Sequence, residues 1–87
     1  MSYRLDYNKK VYKFLEKCDK YIAKSFVDAT KILLVSPYDN NLDIKRLKWS
    51  ENKFRLRIWK YGFLYEVFED VILIYFYDAD WRWDIYK

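Results

Sequence analysis

Lys53-Phe54-Arg55-Leu56-Arg57-Ile58-Trp59-Lys60-Tyr61-Gly62-Phe63-Leu64-Tyr65-Glu66-Val67-Phe68 is the stretch on which the fold turns. Phe54, Leu56 and Ile58 alternate with Lys53, Arg55 and Arg57, so a strand here carries an apolar set on one face and a cationic set on the other. Tyr61 to Phe68 is aromatic and β-branched and reads as a second strand. A tight turn at Trp59-Lys60 pairs Ile58 with Tyr61 and Arg57 with Gly62. Phe63 and Tyr65 then join Leu56 and Phe54 on the core face, so the register is self-consistent. Trp-Lys is poor chemistry for a two-residue turn, and the apolar pattern has to hold the register without its help. Gly62 falls on the basic face.

Working outward, Glu69-Asp70 reads as a turn. Val71 to Tyr77 is a third strand, expected to be central and covered on both sides because it is apolar throughout. Upstream, Tyr38-Asp39-Asn40-Asn41 is a loop. Before it, Asp19 caps a helix with the stripe Ile22, Phe26, Ala29 and Leu33, expected to end near Ser36 because Pro37 pushes its predecessor out of the α region. Asn8 caps an earlier helix, with Val11, Phe14, Leu15 and Cys18 on one face and Lys9, Lys10, Lys13, Glu16 and Lys17 on the other. Tyr3-Arg4-Leu5-Asp6-Tyr7 alternates as a half-buried strand does. The tail, Asp78 to Lys87, mixes acids with Trp81, Trp83 and Tyr86. The order predicts an α+β fold: an N-terminal strand and two amphipathic helices packed on one face of a mostly antiparallel four-stranded sheet, in one domain spanning residues 1–87.

Composition narrows the chemistry. The 87 residues include one Gly, one Pro, one Cys and no His, against 10 Tyr, 6 Phe and 4 Trp. That aromatic bulk closes a small core and excludes disorder. Without His there is no catalytic triad and no imidazole base, and one Cys supplies neither a disulfide nor a zinc site. One glycine cannot build a phosphate-cradling loop. Cys18, on an apolar stripe, reads as a packed hydrophobe. Composition leaves carboxylate-only metal sites, Lys, Arg and Tyr chemistry and plain binding open, although no cofactor and no metal are expected. Asp78, Asp80 and Asp84 are a poor metal cluster on a terminal tail. The first ten residues carry Arg4, Asp6, Lys9 and Lys10 with no apolar segment behind them, and Val71 to Tyr77 is too short to span a bilayer. A cytoplasmic location without a membrane partner is expected.

Charge is uneven along the chain. Residues 45–60 hold Lys45, Arg46, Lys48, Lys53, Arg55, Arg57 and Lys60 against Glu51 alone, while the formal net charge of the whole is +4. One reading is a solvated face. The other is a polyanion-binding strip, since Trp49, Phe54 and Trp59 interleave with the cations.

These residues resemble the RelE/ParE-like toxins of bacterial toxin–antitoxin pairs. The resemblance runs through Tyr3-Arg4-Leu5-Asp6-Tyr7, Asp43-Ile44-Lys45-Arg46-Leu47-Lys48, Phe54-Arg55-Leu56-Arg57-Ile58, Tyr61 with Phe63-Leu64-Tyr65-Glu66-Val67, and the terminal Arg82-Trp83-Asp84-Ile85-Tyr86-Lys87. It implies a ribosome-dependent endoribonuclease that cuts messenger RNA without a metal, by attack of a ribose 2′-hydroxyl on the adjacent phosphate. The implied partners are a cognate antitoxin, the ribosome and the message. Lys53 and Arg55 match basic positions facing the scissile phosphate, Arg57 shares their strand face, and Arg82 and Tyr86 match the terminal motif. Lys45, Arg46, Lys48 and Lys60 are the expected RNA-binding cations. The chain departs from the resemblance at Trp81, where many members carry histidine, and at Gly62, where RelE-like ribonucleases usually carry arginine. The same fold also suits a ParE-like inhibitor of DNA gyrase, or a silent antitoxin-binding module.

Overall fold

The computed structural model describes residues 2–38 and 41–80, with the side chain of Asp80 outside that set. The order is β1 (Arg4–Tyr7), α1 (Lys9–Lys17), α2 (Lys20–Leu33), β2 (Ile44–Arg46), β3 (Lys53–Ile58), β4 (Tyr61–Phe68) and β5 (Leu73–Asp80). The strands form one sheet in the order β1-β5-β4-β3-β2. β1 runs parallel to β5 and the other pairs are antiparallel. The sheet therefore has five strands where the sequence suggested four. The fifth strand, β2, is three residues long, and two of the three are cations, so it shows no readable alternation.

Caps define both helices. The Asn8 side chain accepts from the Val11 N–H at 3.1 Å, and Asp19 accepts from the Tyr21 N–H at 2.7 Å. Each bond satisfies a donor that the first helical turn leaves without a partner. Cys18 ends α1 as its C-cap, with its N–H donating to the Phe14 carbonyl. α2 stops at Leu33, three residues before the expected Ser36. The N–H groups of Leu34, Val35 and Ser36 then bond back to Thr30 and Ile32 in an irregular turn. Pro37 is anchored after that turn: its carbonyl accepts from the buried Tyr65 hydroxyl at 2.8 Å.

The β3–β4 register is the one read from the alternation, with Ile58 opposite Tyr61, Leu56 opposite Phe63 and Arg57 opposite Gly62. At the turn, Trp59 takes a φ of 57°. The β4–β5 connection is longer than expected: Val71 is exposed and Ile72 has a φ of 52°, so the strand begins at Leu73. β5 lies between β1 and β4, but it is not covered on both sides. Ile74 and Phe76 are sealed in the core, whereas Tyr75 and Tyr77 on the other face are half-buried.

The core lies between the helices and one face of the sheet. Val11, Ile22, Phe26, Ala29 and Leu33 meet Phe54, Leu56, Phe63, Tyr65, Val67, Ile74 and Phe76 there. Phe26 sits at its centre, 4.6 Å from the Phe63 ring and 4.9 Å from Phe76. Such ring pairs contribute about 0.5–1.5 kcal/mol beyond the area they bury. At the sheet's far end, the Glu69 carboxylate accepts from the Tyr3 hydroxyl at 2.8 Å and the Tyr38 hydroxyl at 2.6 Å. One acid thus ties together the chain before β1, the segment after α2 and the β4–β5 turn.

Candidate nucleic-acid interface

The second face of the sheet follows from the same registers. Residues two apart on a strand share a face, so Lys53, Arg55 and Arg57 stand in a row spaced by about 6.6–6.8 Å. Across the ladder they meet Glu66, Leu64 and Gly62 on β4, and Lys45 lies opposite Arg55 on β2. The row is not a solvated strip. Arg55 is 5% exposed and Leu64 only 3%, and Leu47 is buried too, although neither leucine belongs to the helix-side cluster.

An acid outside the expected site organises this row. Asp43, just before β2, reaches the Arg57 Nε at 2.6 Å with Oδ2 and the Arg55 Nη2 at 3.6 Å with Oδ1. The backbone supports it, since the Arg57 N–H donates to the Asp43 carbonyl at 2.9 Å. Burial holds the Arg55 guanidinium below its ordinary value, Asp43 opposes that pull, and the positive Arg57 adds to it. A carboxylate between two guanidinium groups is the arrangement a phosphate would also satisfy.

At the other end of the row, the Lys53 ammonium lies 5.8 Å from the centre of the Tyr77 ring. Glu66, opposite Lys53, accepts from the Asn52 amide at 2.8 Å. Burial pushes the Tyr77 phenol above its usual value, and Glu66 and Asp78 push it the same way. The phenol therefore keeps its proton and can donate a hydrogen bond.

The expected cations divide. Lys53, Arg55, Arg57 and Lys45 share the open face. Arg46 pairs with core-facing Phe54, which puts it on the helix side of β2. Lys48 is exposed in the turn after β2. Lys60 is in the β3–β4 turn with its ammonium 4.7 Å from the Trp59 ring. The block at 45–60 is thus spread over both faces and both ends of the sheet. Arg82 and Tyr86, with Trp81 and Asp84, lie outside the described residues. Among the described residues no group of three His, Cys, Asp or Glu side chains could hold a metal ion.

Gly62 is buried directly across from Arg57 and next to Asp80 on β5. Its φ is not positive, so the backbone makes no demand for glycine at this position. Asp43, Glu66 and Tyr77 are the participants that sequence reasoning missed. The register of β3 with β4 puts Glu66 on this face, whereas Asp43 and Tyr77 required the short β2 and the irregularity in the β4–β5 ladder.

No protein-family model and no curated protein matches this sequence. Solved structures do match. One is the archaeal RelE–RelB complex from Pyrococcus horikoshii, at a TM-score of 0.83 and 25% identity, covering 94% of this chain and 97% of that one. Another is the RelB–RelE antitoxin–toxin complex from Methanococcus jannaschii, at 0.72 and 29%, covering 93% and 94%. The isolated E. coli RelE toxin superposes at 0.76 with 15% identity, over 90% of this chain and 82% of that one, a likeness of fold alone.

Proposed function

We propose that this protein, whose chain has the RelE toxin fold, is the toxin of a toxin–antitoxin pair and acts as a ribosome-dependent endoribonuclease of reduced rate. The observation that carries the reading is the row Lys53, Arg55 and Arg57 on the open face of a sheet with this fold. In the reaction, the ribose 2′-oxygen bonds to phosphorus as the bond to the 5′-oxygen breaks, leaving a cyclic phosphate and a 5′-hydroxyl. A proton leaves the 2′-oxygen and another is delivered to the 5′-oxygen. Arg55 and Arg57 suit the negative charge that builds on the phosphoryl oxygens. Lys53 and, by resemblance, Tyr86 suit proton transfer, and Arg82 suits a further phosphate contact. Lys45, Lys48 and Lys60 suit the RNA backbone on either side.

Gly62 is the reason to expect a reduced rate. An arginine there would extend from the strand position opposite Arg57, and losing one such donor typically costs about 10²–10³ in rate. A primer-extension assay on translating ribosomes tests this. Wild type should give weak new 5′ ends within the occupied codon, and Gly62→Arg should strengthen them by about 10²-fold. A folded arginine variant that cuts no better would remove the assignment of position 62. Gyrase arrested while messages stay intact would move the protein to the ParE-like reading.

A second reading has its own support: Asp43 already occupies the Arg57 guanidinium. A silent module that only binds its antitoxin predicts an antitoxin complex and no growth arrest from either variant. In both readings the partner is a cognate antitoxin with an acidic or amphipathic segment that covers the cations of 45–60.

A further inference from the structure

The β3–β4 turn places a large aromatic where turn geometry disfavours one. Trp59 has a φ of 57°, a region that glycine occupies freely and a residue with a Cβ does not. The residue is nevertheless 69% exposed, so core packing does not explain it. Tyr21, in the first turn of α2, is 74% exposed. Between them, with Asp19 and Ile22, lies a cleft of about 380 Å³. Tyr61 meets the Trp59 ring edge-on at 5.8 Å, and beyond it a hollow of about 200 Å³ is lined by Phe14, Lys17, Cys18 and Tyr61. Flat rings are thus held open toward solvent on either side of a cleft.

Charge selects the occupant. Lys60 lies against the Trp59 ring, Lys17 lines the adjoining hollow, and Lys24 follows Tyr21 by one helical turn on the same face of α2. Among the described residues the one acid lining the cleft, Asp19, spends its carboxylate capping α2 through the Tyr21 N–H. An anionic ligand with a flat aromatic group satisfies both features, and every nucleobase offers a face for stacking.

We propose that the cleft between Tyr21 and Trp59 is a stacking site for an unpaired base of single-stranded RNA, with Lys17, Lys24 and Lys60 meeting the flanking phosphates. It rests on the reading of this protein as RNA-directed, but not on its cutting RNA. It is also distinct from the Lys53-Arg55-Arg57 row, which stands on the open face of the sheet.

The test is fluorescence anisotropy of a labelled single-stranded RNA hexamer with 2′-O-methyl groups, which block the attacking hydroxyl, titrated with the full chain at low salt. Trp59→Gly and Tyr21→Ala should each weaken binding by about fivefold to a hundredfold, and Trp59→Phe should keep most of it. Glycine tolerates the positive φ, so Trp59→Gly should unfold at the wild-type denaturant concentration or above, separating loss of the ring from loss of fold. Wild-type protein that fails to bind the hexamer, or a folded Trp59→Gly that binds it as tightly as wild type, overturns the proposal. So does an acidic peptide of equal charge whose binding shows the same dependence on Trp59, which would make the cleft a protein-docking surface. Ring-dependent binding without message cleavage supports this site and counts against the ribonuclease reading alone.

Discussion

On β3, Phe54 and Leu56 point into the helices, while Lys53, Arg55 and Arg57, one residue away in each case, point out. On β4, Phe63 and Tyr65 alternate with Gly62, Leu64 and Glu66 in the same way. The helix side is closed by rings and aliphatic chains whose contacts are non-directional, and it tolerates no loss of volume. The other side buries Leu64 and Arg55 as well, but its polar groups make directed contacts: Asp43 with Arg57, Asn52 with Glu66, and Lys53 against Tyr77. One set of strands thus carries the packed core on one face and a row of cations on the other. The difference predicts that truncations on the two faces should be read out in different experiments.

The largest effect belongs to the core. Phe26→Ala removes the ring between Phe63 and Phe76 and should cost about 3–5 kcal/mol in urea denaturation. Arg57→Ala, two-fifths exposed on the other face, should cost less than about 1 kcal/mol while weakening polyanion binding. Similar stability losses from both would break the division. Next in size is Asp43→Asn. Removing that negative charge beside the two guanidinium groups should tighten single-stranded RNA binding by up to about fivefold at low salt, a gain that fades as salt screens it. Weaker binding would mean that Asp43 positions the arginines rather than competing for them.

The smallest expected effect concerns pH. Hydrogen bonds from Tyr38 and then Tyr3 hold the Glu69 carboxyl below its ordinary value of 4.5. A lowered folded value means that the ionised form stabilises the fold. That contribution is complete above 4.5 and is lost as pH falls through the folded value. Glu69→Gln should leave a flatter acid limb in the stability profile, and an unchanged limb would show that the clasp contributes nothing.

The β-hairpin was legible because its alternation is unbroken from Lys53 to Ile58 and its register follows from which residues are apolar. The helix starts were legible for an equally local reason, the side chains of Asn8 and Asp19. β2 was not, because three residues, two of them cations, carry no period. The start of β5 is not legible, because Val71 and Ile72 look like strand residues and only the turn's backbone excludes them. For the site, residue type and alternation brought Lys53, Arg55 and Arg57 together. They could not say that Arg55 is buried, or that an acid 12 residues earlier in the chain reaches back to it. Those facts depend on how strands lie side by side, which no single stretch encodes.

The division of labour is tested most directly by cleavage of ribosome-bound message with two variants, Gly62→Arg and Gly62→Arg combined with Arg57→Ala, alongside their unfolding midpoints. The first should cut strongly. The second should lose about 10²-fold in cleavage while unfolding at nearly the same urea concentration. Equal cleavage by both, or loss of cleavage only in step with loss of stability, would contradict the assignment of chemistry to the open face.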